Sequence, residues 1–298
     1  MSYVESVGFL EDFARDLHCS PAFDWYSTSA SAQVRANCAE PLALNGRVVR
    51  LELSAGHAAS PDQGANLKSR QRYLYGTYAA RLRAAACSTR QEGVISGFFT
   101  YFNDGSDSDA SGMADNSEID IEWLAAEPQS IYLSVWTSYD LATQGSRRVY
   151  RKINLASGTI EYTRFGTDFN PATHRDLASE PEASQPAQIP AIASYDASAR
   201  FYEYGFHWAP QSVTWWIVHP ETGQRIVLWH YRGQCIPQIP AYTMVNIWHS
   251  NTWAPEAQPQ ALACPQTRIA AAVDWIEYQP LEPVLAPASS PATTSART

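Results

Sequence analysis

The sequence predicts an all-β fold, an antiparallel β-sandwich, on three observations. Short runs of alternating apolar and polar residues recur along the chain, separated by turn signals such as Asn45-Gly46. No sustained apolar period of 3.6 residues is present, so helices are expected to be few. At 298 residues the chain is long enough for one large sandwich core.

The strand candidates follow in order. Val48–Leu53, Gly76–Leu82, Gly93–Tyr101 and the acid-rich run ending at Leu124 occupy the first part of the chain. Ser130–Trp136, Tyr202–Pro210, Ser212–Val218, Arg225–Trp229, Met244–His249 and Ala271–Tyr278 complete the set. Residues 167–199 are rich in Pro, Ala, Ser and acids, and Pro171, Pro181, Pro186 and Pro190 exclude a central strand there. They read as an insertion loop, either a wall of a binding cleft or a surface excursion. Residues 281–298 read as a disordered Ser/Thr/Pro-rich tail, leaving 1–280 as one domain.

The most informative run is Asn116-Ser117-Glu118-Ile119-Asp120-Ile121-Glu122-Trp123-Leu124. In a strand, Glu118, Asp120 and Glu122 share one face, and Ile119 and Ile121 take the other. The Cα atoms of the two Glu residues then lie roughly 13 Å apart, at about 3.3 Å per residue. Inclined side chains and a curved sheet bring the carboxyls toward the 5–5.5 Å separation of retaining glycosidases. At that spacing one carboxylate attacks the anomeric carbon and the other protonates the departing oxygen. Crowding three acids raises the pKa of at least one, as a general acid near neutral pH requires. In a chain of this composition an acid-x-acid-x-acid pattern arises by chance with a probability of roughly 0.3, so context decides.

That context is the order of Gly93-Val94-Ile95-Ser96-Gly97-Phe98-Phe99-Thr100-Tyr101, the acid strand, Tyr202–Pro210, Val213–Val218 and Met244-Val245-Asn246-Ile247-Trp248-His249. From about Val34 to Tyr278 it resembles glycoside hydrolase family 16. The resemblance implies a jelly roll, concanavalin A-like, with a concave substrate cleft. It implies Glu118 as nucleophile, Asp120 as the assisting acid and Glu122 as acid/base. One residue separates Asp120 from Glu122, so the strand is expected to be unbulged there, as in the lichenases, xyloglucan-active enzymes and fungal cell-wall transglycosylases. Two departures stand out. Asn116 and Ser117 replace the aromatic and acid usual before the first Glu, and Ser134 and Trp136 stand where Asn and Tyr are common.

The resemblance adds substrate-binding candidates. Asn246, Trp248 and Trp253 match the strand and loop facing the acid row, and Trp136 and Ser134 lie beside it. Phe99 and Tyr101 are further candidates, with one of the two expected in the core because the strand must bury a face. His249 is a candidate substrate contact, His207 a packing residue. Asp274, in Ala272-Val273-Asp274-Trp275-Ile276, matches the carboxylate of a structural calcium site, the cofactor otherwise being none.

A net charge of −9 without a basic cluster excludes nucleic acid as a partner. No stretch of about 18 apolar residues provides a membrane span. Ten Trp and sixteen Tyr fit a polysaccharide partner, whose pyranose faces stack on aromatic rings. The N-terminal residues lack the basic and apolar regions of a signal peptide, so a secreted or cell-wall location, implied by the resemblance, requires a leader already removed. A monomer is expected. Cys19, Cys38, Cys87, Cys235 and Cys264 lack metal-ligand spacing. Two disulfides, Cys19–Cys38 and Cys235–Cys264, are the preferred reading, five thiols the alternative.

The expected function is a retaining endo-acting β-glucan hydrolase cleaving β-1,3 or β-1,4 bonds. The alternatives are a cell-wall transglycosylase using the same glycosyl-enzyme, and a glycan-binding module without catalysis.

Overall fold

The computed structural model describes residues 7–15, 20–108, 110–139, 146–165, 186, 188–233, 235–253 and 261–281. Among these no helix occurs, and hence none long and apolar enough to cross a membrane. The strands are β1 (Phe9–Glu11), β2 (Phe23–Ser27), β3 (Ala32–Ala39), β4 (Arg47–Leu53), β5 (Ser60–Tyr73), β6 (Gly76–Arg83), β7 (Val94–Phe102) and β8 (Ala114–Leu124). They continue as β9 (Ser130–Tyr139), β10 (Ser146–Asn154), β11 (Thr159–Phe165), β12 (Tyr202–Ala209), β13 (Ser212–Val218), β14 (Arg225–Arg232), β15 (Ala241–His249) and β16 (Ile269–Pro280). All pair antiparallel in two sheets. One runs β14-β13-β12-β6-β16-β4-β3 with β1 added to β16; the other runs β11-β10-β9-β8-β7-β15-β5-β2. The two form the predicted jelly-roll sandwich.

Alternation decides which residues fill it. Ile119 and Ile121 of β8, Leu133 and Val135 of β9, Phe98 of β7 and Val245 and Ile247 of β15 are all buried. They belong to the same core cluster as Tyr78, Tyr204, Phe206, Trp208 and Trp215 of the opposing sheet. Tyr78 stacks on Phe206 at 5.0 Å, and Trp215 on Trp229 at 4.9 Å. Trp215 also donates its indole N–H to the carbonyl oxygen of Asp120, at 3.1 Å. The acid strand is thereby fastened to the sheet behind it.

The expected strands are present with their ends shifted by up to three residues at either side. Asn45-Gly46 is a turn, Gly46 taking a φ of +75° that suits glycine. Of the insertion loop, 167–185 and 187 lie outside the described residues, as does the tail beyond Leu281. The loop's closing segment is not a surface excursion. Ile189, Ile192, Tyr195 and Ala197 are buried in the main core, and Tyr195 meets the Trp123 indole at 3.2 Å.

The disulfide reading is corrected. Cys38, Cys87, Cys235 and Cys264 are free thiols, while Cys19 is not among the described residues. Cys235 precedes the start of β15 and Cys264 lies near its end, where Ala263 pairs with Glu92. A nine-residue strand spans about 30 Å. A disulfide needs Cα atoms within about 7 Å.

Candidate active site

Strand β8 lies between β7 and β9, and the register on both sides is continuous from Glu118 to Glu122. Glu118 sits opposite Tyr101 and Trp136, Asp120 opposite Phe99 and Ser134, and Glu122 opposite Gly97 and Tyr132. Directly paired residues share a face. The three carboxyls therefore stand in a line on the outer face, away from the core. The unbulged stretch is as expected; a bulge lies just before it, where Asn116 and Ser117 face Thr137 alone.

Both departures from the family pattern turn out to hold the acids. The Asn116 amide donates to the Glu118 carboxylate at 2.6 Å. Ser134 donates a short hydrogen bond to Asp120, and its oxygen accepts the Trp136 indole N–H at 3.2 Å. Asp120 is 4% exposed, whereas Glu118 and Glu122 are partly open.

Burial is the main influence on all three. It pushes Glu118 up to about 7, against the Asn116 hydrogen bond and the Arg148 charge. It pushes Glu122 up to about 8, aided by the negative charge of Glu118 and opposed by Arg148. Asp120 rises well above the ordinary carboxyl range through burial and the charges of both neighbours. The row cannot carry three negative charges near neutrality.

Gly97 leaves open the ground between Glu122 and Asn246. A Cβ there would come within 2.6 Å of the Asn246 side-chain oxygen. That oxygen is buried without a hydrogen-bond partner, an acceptor next to the opening beside Glu122.

The other candidates divide by strand face. Phe99 and Tyr101 both lie on the acid side, which corrects the expectation that one packs in the core; Phe98 and Thr100 take that role. Tyr101 is 39% exposed. Trp248, two residues after Asn246, is on the acid side and partly exposed. Trp253 is only 4% exposed; it packs edge-on against Tyr132 at 5.2 Å and supports Trp248 at 6.2 Å. His249 is not brought to the row. It is buried, and its Nδ1 donates to the His57 carbonyl at 2.7 Å. His207 belongs to the opposite sheet, bonded to Thr77.

Asp274 does not fit a calcium ligand. Its buried carboxylate pairs with the Arg81 guanidinium through a short contact and accepts the Leu44 N–H at 3.0 and 3.1 Å. The neighbours are hydrogen-bond donors and a cation, where calcium needs oxygen ligands. No group of three or more His, Cys, Asp or Glu residues that could hold a metal occurs among the described residues.

Sequence reasoning missed Gly97, Arg148 and the holding role of Asn116. The i, i+2 spacing of Asn116 and Glu118 on a strand was the available signal for one of them.

The family model for glycosyl hydrolases family 16 matches residues 22–171. The chain belongs to that family. A β-glucanase from Bacillus licheniformis is 25% identical over 204 residues, covering 67% of this chain. This match spans 57% of that relative's length. A β-glucanase from Brevibacillus brevis is 24% identical over 219 residues, covering 72% of this chain and 60% of the relative. Among solved structures, the Bacillus licheniformis β-glucanase aligns with a TM-score of 0.52 at 20% identity, over 93% of this chain and 99% of that one. A likeness at that identity speaks for the fold.

Proposed function

We propose that the chain is a retaining, endo-acting β-glucan hydrolase that cleaves β-1,3 or β-1,4 glucosidic bonds by double displacement. The observation that carries the reading is the line of Glu118, Asp120 and Glu122 on one accessible sheet face, with the Glu122 carboxyl pushed up by burial and by the negative charge of Glu118. Family membership and the β-glucanase relatives support the substrate class.

In the first half-reaction the Glu118 carboxylate attacks the anomeric carbon. The bond to the leaving sugar oxygen breaks, and Glu122 gives that oxygen its proton. Asp120 donates or accepts a hydrogen bond beside Glu118 as charge leaves it. In the second half-reaction Glu122, now ionised, takes a proton from water, whose oxygen attacks the anomeric carbon and frees Glu118. Protons and charges balance within the two Glu residues, so no cofactor enters the scheme. Asn246 receives a sugar hydroxyl over Gly97, while Trp136, Trp248 and Tyr101 offer ring faces along the cleft. Residues 1–280 act as the catalytic domain, and a secreted or wall-associated location suits a polymeric substrate.

The test is product analysis by mass spectrometry for wild type and Glu118→Ala. The panel contains mixed-linkage glucan, laminarin, xyloglucan and a soluble cellulose derivative, each with and without labelled acceptor oligosaccharide. Short unlabelled products that vanish in the variant support hydrolysis and name the linkage. Longer labelled products replace it with transglycosylation. Sugar binding with no product from wild type on any glycan returns the reading to a binding module.

A further inference from the structure

The acid row raises an electrostatic problem that the three carboxyls cannot solve among themselves. A nucleophile must be ionised, yet Glu118 stands in a line with two other acids, partly removed from water. Burial and mutual repulsion both favour the protonated form. The Asn116 hydrogen bond favours the Glu118 anion, and a positive charge facing the row adds to it.

The strand register shows where it comes from. Between Arg147 and Arg148 the pairing of β10 with β9 slips by one residue, Arg147 facing Ser138 and Arg148 facing Trp136. Trp136 in turn faces Glu118. The slip lies beyond Arg148, which keeps the register of the rest of β10. Val149, next along, is fully buried in the core, so alternation turns the Arg148 guanidinium onto the acid face. There it lies 4.4 Å from the centre of the Trp136 ring and 4.9 Å from that of Tyr150. We propose that Arg148 is a positioning residue for the reaction: held on the Trp136 and Tyr150 rings, it supplies the positive charge that keeps Glu118 ionised beside Asp120 and Glu122.

The other cations on this face are placed for other tasks. Lys152 lies in the cross-strand row of Glu122, but its ammonium pairs with Glu127 at 2.6 Å and Glu161 at 3.1 Å. Arg164 of β11 covers the Tyr162 ring at 4.0 Å. Lys68 and Arg72 of β5 lie three strands from the acids on the far side, Lys68 over the Tyr242 ring and Arg72 over the Phe102 ring, each at 3.9 Å. The remaining side chains facing the row from the neighbouring strands include the phenols of Tyr101, Tyr132 and Tyr150. Arg148 is the cation whose charge opposes the rise of both Glu118 and Glu122.

The sign follows. Removing a cation favours the protonated form of a carboxyl, so both glutamates should titrate at higher pH. Two strand spacings put Arg148 about 10 Å from β8. At an effective dielectric constant of about 20–40, a unit charge there moves a titration by about half to one pH unit.

The catalytic reading of this residue rests on the hydrolase proposal, but its electrostatic core does not, and one experiment separates them. Carboxyl carbon-13 resonances of Glu118 and Glu122 are titrated in wild type, Arg148→Gln, Arg148→Met and Arg148→Lys. Glu118→Gln and Glu122→Gln provide the assignments, and pH profiles of kcat/KM on soluble β-glucan are recorded alongside. In Arg148→Gln and Arg148→Met both resonances should titrate about half to one pH unit higher, with both limbs of the profile following. Arg148→Lys should return most of the way. Unmoved titrations with a uniform fall in kcat would reduce Arg148 to a packing residue, and unmoved titrations with a raised KM to a sugar contact; either overturns the proposal. Shifted titrations in a wild-type background that cleaves no glycan would uphold the charge effect and remove the hydrolase reading instead.

Discussion

Burial pushes the Glu118 carboxyl up to about 7, and that has a consequence for stability as well as chemistry. A carboxyl raised in the folded state contributes stability that is complete at acid pH and is lost as pH rises through the folded-state value. Glutamine in its place stays neutral throughout. Glu118→Gln should therefore melt above wild type beyond pH 8 and converge with it below pH 5 in scanning calorimetry. A difference that is constant with pH would contradict the burial argument. At this scale the sequence showed the acids themselves, through their alternation with Ile119 and Ile121. It did not show what holds them. Asn116 and Ser134 were visible only as departures from a family pattern, yet each is the hydrogen-bond donor of a neighbouring acid. Arg148 was hidden for a different reason: β10 itself was not recognised as a strand, so the alternation of Arg148 with buried Val149 had no element to belong to.

Strand β7 explains why the face beside Glu122 is open. Gly97 sits between Glu122 and Asn246, and a methyl group there would press on the Asn246 amide oxygen and crowd the Phe99 ring at 3.3 Å. The amide is the end of a side chain and can turn aside, so Gly97→Ala should fold with a melting temperature close to wild type. Its kcat/KM should fall about tenfold, mainly through KM, the value of roughly one hydrogen bond to substrate. Unchanged kinetics would show that the Asn246 oxygen has no part in binding. The strands most legible in the sequence were those with one clean apolar face, such as β8, β13 and β16. β5 was not legible: Ser60–Tyr73 is polar and its pairing with β15 shifts register twice, which breaks any alternation. β10 was missed because Arg151 and Lys152 are charged yet buried, against the expectation that such residues face water. The two-residue period, applied strictly, would have put Phe99 and Tyr101 on one face from the start.

The sandwich as a whole is closed by contacts that need neither metal nor disulfide among the described residues. Buried Asp274 and partly exposed Arg81 form an ion pair that ties β16 to β6 and to the turn at Leu44. Arg81→Met leaves a buried carboxylate without its cation and should lower stability by about 3 kcal/mol. A calcium chelator should leave the wild-type melting temperature unchanged; a drop on chelation, restored by calcium, would return Asp274 to the role of a metal ligand. The fold class was legible at this scale because many short alternating strands leave few other architectures, whereas the thiol pairing was not, since sequence proximity says nothing about opposite ends of β15. The central claim is that the row of acids works by double displacement from Glu118. The most direct measurement is proton NMR of the anomeric configuration of the first product released from a β-glucan, read before mutarotation. The account predicts the β-anomer. A first-formed α-anomer would mean single displacement by water, and would contradict the assignment of Glu118 as nucleophile.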